Sequence, residues 1–143
     1  MKTNFAAKVE IEINSLPSKV WEALTNPQMI KQYFFGTEAV SDWKVGSPLL
    51  FKGVWENTEY TDKGIILQMD TEKIFQYSYL SSFSNLPDTP ENYAVITYEL
   101  FLLENGTKLV VTQDNISTEE AKKHSEQSWL TVLYGLKNLV EVK

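Results

Sequence analysis

The chain has no cysteine. Disulfides, thiolate nucleophiles and cysteine metal sites are therefore excluded, and a reducing cytoplasm is the expected setting. It has a single histidine, His124. A histidine-rich metal site is excluded, and a Ser-His-Asp triad would have to use His124, which no nucleophile-elbow pattern accompanies. Set among Lys122, Lys123 and Glu126, His124 reads as an exposed helical residue. The 6 glycines form neither a phosphate loop nor a dinucleotide fingerprint. No apolar run approaches a membrane span, and the charged, alternating N-terminus does not resemble a secretory signal. Positive charge is in deficit: 13 Lys and Arg stand against 19 Asp and Glu, a net charge of -6. Such a chain gains little from a phosphate backbone. No nucleic acid, membrane, cofactor or metal is expected, and no residue is assigned a catalytic role.

What the chain has in quantity is aromatic side chains: 4 Trp, 7 Tyr and 7 Phe among 143 residues. Its length suits one domain, residues 1–143, with a substantial core. The longest helical period runs from Thr118 to Val142. Trp129, Val132, Leu133, Leu136, Leu139 and Val140 form one apolar stripe. Ser117 or Thr118 is placed to cap it, and Glu119 and Glu120 suit its first turn. Gly135 predicts a close backbone contact or a space beside the stripe.

Upstream, Phe5 to Asn14 alternates, with Val9, Ile11 and Ile13 on one face, as in a half-buried strand. Pro17 and Asn26-Pro27 each mark the start of a short helix. Phe34 to Trp43 reads as a loop running into a strand. Strands are then expected over Leu49–Trp55, Thr58–Asp70, Lys73–Ser81, Ala94–Leu103 and Thr107–Asp114. Gly64 is expected at a bulge or close approach. Ser82 to Asn92 is a loop, and Glu104-Asn105-Gly106 a hairpin turn. On Ala94–Leu103 the inward face is Ile96, Tyr98, Leu100 and Leu102.

This order is α+β: a strand, two short helices, about six more antiparallel strands and a long helix. A sheet with one apolar face needs a cover, and the last helix is the candidate of adequate size. A curved sheet of about seven strands wrapped round it would leave a cavity closed at one end by the short helices. The outer face carries charges and Thr, with no large apolar patch evident, which suits a monomer or weak dimer.

Several segments resemble one family. Val20-Trp21-Glu22-Ala23-Leu24-Thr25-Asn26-Pro27, followed by Ile30-Lys31-Gln32-Tyr33-Phe34, is similar to the helical segment of the activator of heat-shock-protein-90 ATPase homologues. Trp43-Lys44-Val45-Gly46-Ser47 resembles that family's W-x-x-G turn. Tyr60-Thr61-Asp62-Lys63-Gly64 resembles its D-x-G strand, and Ser128-Trp129 with Val132-Leu133 and Leu136-Lys137 its terminal helix. The resemblance implies the helix-grip fold of the START-like, Bet v 1-like and polyketide-cyclase-like proteins. That superfamily includes lipid carriers, receptors, cyclases and chaperone regulators, so fold alone does not settle function.

The candidate pocket is drawn from elements that should converge beneath the last helix: Tyr33, Phe35, Trp43, Phe51, Trp55, Tyr60, Tyr77, Tyr79, Tyr98, Gln113, Trp129, Val132 and Leu133. Aromatic walls with a few hydroxyls suit a small apolar or aromatic ligand. Alternation alone does not separate an open pocket from a filled core. Asp62 is expected to hold a turn or to pair with Lys63 or Lys44. Three readings follow: a small-molecule binding protein, a regulator of a heat-shock ATPase with a chaperone partner, and a cyclase- or dehydratase-like enzyme. The chaperone reading ranks lower, because the eukaryotic namesakes carry an additional N-terminal domain and this sequence opens on the first strand. Within the stripe, Trp129, Val132 and Leu133 are expected at the pocket, and Leu136, Leu139 and Val140 at the closed end.

Overall fold

A computed structural model describes residues 5–82 and 84–141. The elements run β1 (Phe5–Ile13), α1 (Pro17–Thr25), α2 (Pro27–Tyr33), β2 (Glu38–Ser41), β3 (Pro48–Trp55), β4 (Thr58–Asp70), β5 (Ile74–Tyr79), β6 (Ala94–Leu103), β7 (Gly106–Ile116) and α3 (Glu119–Val140). The strands form one antiparallel sheet in the order β1-β7-β6-β5-β4-β3-β2. The chain enters at one edge, crosses by α1 and α2 to the other edge, and returns strand by strand.

Local chemistry accounts for the helix ends. Pro17 opens α1, and Asn26 adopts extended backbone before Pro27, so α1 stops there. The Asn26 side chain then accepts the Gln28 N–H at 2.9 Å and caps α2. Thr118, not Ser117, caps α3, its Oγ1 accepting the Ala121 N–H at 3.0 Å. The helix ends at Val140; Val142, the expected end, lies outside the described residues.

Trp129, Val132, Leu133 and Leu136 of α3 are buried against the inward faces of β1, β6 and β7. Leu139 and Val140 pack at the margin of the same cluster. Gly135 resolves as the close contact: a Cβ there would sit 3.2 Å from the Cβ of Tyr33, so its absence lets α3 approach α2. Leu102 keeps the expected face but is not buried. It is 76% exposed, because it lies beside the two-residue Glu104–Asn105 tip where β6 turns back. Gly106 belongs to β7 rather than the turn, pairing with Leu103.

The edge strand β1 is also fastened by polar contacts. Glu126 accepts the Lys8 N–H at 3.1 Å, and Glu141 accepts the Asn14 N–H at 2.6 Å. Lys137 donates to the Glu12 carbonyl at 3.0 Å. Free N–H groups of an edge are thus covered by α3. Both carboxyls are held below the usual glutamate value of 4.5, first by the Lys8 N–H for Glu126 and by Lys137 for Glu141. A depressed carboxyl contributes stability that is present above its unfolded pKa and lost as pH falls through its folded one. Denaturation midpoints should therefore drop as pH falls below about 4.5. The Glu126→Gln, Glu141→Gln double variant should show a shallower drop; an unchanged acid limb would remove these two groups from the account.

No helix among the described residues is long and apolar enough to cross a membrane.

Candidate functional site

The deep end of the grip is filled. Between Tyr33, Trp43, Leu49, Phe75, Tyr77 and Tyr98 only about 10 Å³ remains, room for one water at most. The buried hydroxyls there are used internally. Tyr33 Oη donates to the Ala23 carbonyl at 2.8 Å, and the Tyr77 and Tyr98 hydroxyls bond each other at 3.3 Å. Burial, first of all, raises the pKa of all three, so they are neutral phenols.

The other end is open. Between β3, β4, β5 and the segment after α2 lies a cleft of about 610 Å³, walled by Phe34, Phe35, Phe51 and Tyr60, with Thr37, Asp62, Tyr79 and Ser81 supplying polar atoms. Beside it a smaller space of about 150 Å³ runs under α3, between Tyr77, Ile96, Gln113, Ser128, Trp129 and Val132. The two share Phe34, Phe35 and Tyr79. The Phe34 ring is the partition. It stacks on Phe51 at 6.0 Å and meets Trp129 edge-on at 6.1 Å. Phe35 is 65% exposed with φ 56, followed by Gly36 at φ 74. A bulky residue in the left-handed region is unusual and holds this turn in a costly shape.

The polar atoms are paired with care. Trp129 Nε1–H donates to Gln113 Oε1 at 2.8 Å, and Ser125 Oγ reaches the same oxygen at 3.3 Å. Thr37 and Tyr60 hydroxyls bond at 2.7 Å. Asp62 accepts from Tyr79 Oη at 2.6 Å, from Ser82 N–H at 2.7 Å and from Ser82 Oγ at 3.1 Å. Burial, then the bond to Asp62, pushes the Tyr79 phenol up, so it too stays protonated. The expected lysine pairing of Asp62 does not occur. Lys63 points to the opposite face and pairs with Asp88, as strand alternation requires.

The family comparison adds to this geometry. Residues 14–141 match the model of the "Activator of Hsp90 ATPase homolog 1-like protein" family. The chain belongs to this family. No curated protein matches it in sequence. A solution structure of the protein ChR145 from Cytophaga hutchinsonii is 49% identical, with a TM-score of 0.86 over 99% of this chain and 97% of that one. The Aha1 dimer from Colwellia psychrerythraea is 20% identical, with a TM-score of 0.77 over 97% of this chain and 98% of that one. Ara h 8.0201 shares 11% identity and a TM-score of 0.76 over 95% of this chain and 97% of that one. The last two show the fold alone: a helix-grip, Bet v 1-like α+β architecture.

For this family member, the expected pocket residues separate into three groups. Phe35, Phe51, Tyr60 and Tyr79 meet at the larger cleft, and Tyr77, Gln113, Trp129 and Val132 at the smaller one. Tyr33, Trp43 and Tyr98 surround the filled interior instead. Leu133 is fully buried and lines neither cleft. The Trp55 side chain lies outside the described residues. Thr37, Asp62, Ser81 and Ile96 join the clefts without having been expected there. Two of them had a signal. Asp62 follows Tyr60 by two residues and Ser81 follows Tyr79 by two, so each shares a strand face with an expected residue.

The outer face is more apolar than its sequence suggests. Pro48, Leu50, Ile65, Pro90, Tyr93 and Val95 line a groove of about 660 Å³, formed where the β5–β6 connection lies against the sheet. Residues distant in sequence make this patch, which alternation within one strand does not reveal.

Proposed function

We propose that this protein binds a small, largely apolar or aromatic molecule at the open end of the grip. The observation that carries the reading is the contrast between the two ends of the grip. The deep half is packed solid, whereas the other half keeps two apolar spaces sharing the Phe34–Phe35 wall. A core that needed only stability would close both halves to native density. The interior phenols are bonded within the protein, Tyr77 with Tyr98 and Tyr33 to the Ala23 carbonyl, so the chemistry favours retention of a ligand over acid–base catalysis.

A neutral apolar fluorophore, N-phenyl-1-naphthylamine, tests it. Its emission should rise on mixing with the protein and saturate. Ser128 sits on the exposed side of α3 yet lines the smaller space. Ser128→Trp should therefore weaken fluorophore binding about tenfold or more, while stability stays within ~0.5 kcal/mol. No saturable emission from the wild-type chain would end this reading.

Family membership favours a second reading, regulation of a heat-shock ATPase. It predicts stimulated ATP turnover by a cognate chaperone, and the absence of stimulation would remove it.

A further inference from the structure

We propose that the larger cleft selects ligands whose apolar body carries a protonated amine, with Asp62 as the charge partner. The inference rests on the ligand-binding reading above and narrows it to a chemical class.

Asp62 is only 7% exposed, yet it lines the cleft. A carboxylate withdrawn from water is costly unless it is paired and hydrogen-bonded. Among the described residues the ion pairs join Lys63 to Asp88, Lys122 to Glu126 and Lys137 to Glu141, and none reaches Asp62. Hydrogen bonds compensate it in part. Oδ1 accepts twice from Ser82, and Oδ2 accepts once from Tyr79. An ionised carboxylate has about four acceptor positions, so one remains on Oδ2. Of the neighbouring hydroxyls, Tyr79 spends its proton on Asp62, and Thr37 and Tyr60 share one bond at 2.7 Å.

The aromatic side chains beside Asp62 suit the same group, Phe51 being its cross-strand partner. Phe34 and Phe51 lie nearly parallel, 18° apart, and Phe51 meets Tyr79 edge-on at 6.0 Å. Ring faces attract a cation that is leaving water, and more strongly when a carboxylate shares it. The protein's net charge of -6 adds a field that draws cations and repels anions. An anion at this cleft would be repelled by the Asp62 carboxylate, and a neutral ligand would bring it no opposite charge.

Three probes of matched shape test the selection by calorimetry and amide chemical shifts on the wild-type chain: 2-phenylethylamine, 2-phenylethanol and 3-phenylpropionate. The amine should bind about tenfold or more tightly than the alcohol, since a bond to a charged group exceeds a neutral one by that factor or more. The carboxylate should bind weakest, and the amine's largest shifts should fall on Tyr60 to Lys63 and on Tyr79. Asp62→Asn should bring the ratio of amine to alcohol affinity close to one. Should that variant fail to fold, the wild-type series still decides. Equal affinity for amine and alcohol overturns the selection, as does amine binding whose shifts map outside the cleft. If N-phenyl-1-naphthylamine binds and none of the three probes does, the amine selection alone falls. If neither the fluorophore nor any probe binds, the ligand-binding reading falls with it.

Discussion

Gly64→Ala should cost the fold about 3 kcal/mol or more, the upper range for overpacking a rigid site. A Cβ at Gly64 would stand 1.6 Å from the Ser78 carbonyl oxygen and 2.5 Å from its carbon. Both obstacles are backbone, which a rotamer change does not relieve. The strands around this point are tied together. Ile65 N–H donates to Ser78 Oγ at 3.0 Å, and Leu80 N–H donates to the Lys63 carbonyl at 2.8 Å. β4 and β5 must therefore separate to admit the methyl group, and Asp62 would move away from Tyr79 and Ser82. Gly46→Ala is the contrast. Gly46 has φ +91 and open space around its Cβ position, so only backbone strain applies, about 1 kcal/mol. Urea denaturation of both variants checks the comparison. A loss at Gly64 no larger than at Gly46 would refute the close-approach account.

The same glycine shows how far the sequence could be read. Its place inside an alternating strand signalled a bulge or a close approach, and the structure supplies the approaching atom. Element order was legible for a related reason. Alternation in β1, β5 and β6 and the stripe on α3 are one-dimensional patterns imposed by one buried face. Leu102 marks a limit, since its face is correct but the sheet end gives it no cover. Tyr33 and Leu133 mark another. Each points inward, as the period requires, but inward positions at the deep end meet packed side chains and those at the open end meet space. That difference depends on how α2 and α3 approach through Gly135, a distance that no periodicity encodes. For Asp62 the sequence offers Lys63 and Lys44 as partners, although strand geometry sends Lys63 to the other face. Its real donors, Tyr79 and Ser82, come from the next strand and the loop beyond it.

Trp129→Ala should be the second costly change, about 3–5 kcal/mol. Trp129 is 7% exposed, meets Phe34 and Tyr98 edge-on, and donates to Gln113. Its removal takes away the packing that holds the Phe34 partition and enlarges the space under α3. Trp129→Phe separates the two contributions. It keeps ring contacts and loses the N–H, while Ser125 still reaches Gln113 Oε1 at 3.3 Å. That variant should lose about 1–2 kcal/mol. The ligand response then distinguishes a pocket wall from an ordinary core residue. An apolar ligand that fills the enlarged space stabilises the folded state by RT ln(1 + [L]/Kd). N-phenyl-1-naphthylamine should accordingly raise the melting temperature of Trp129→Ala by more than it raises that of the wild-type chain. Leu136→Ala provides the control, being fully buried at the packed end and lining neither cleft. It should lose about 2–5 kcal/mol without gaining in fluorophore response. Equal rescue of the Trp129 and Leu136 variants would mean that any cavity in this core takes the fluorophore, and Trp129 would then be a packing residue rather than a wall of the site.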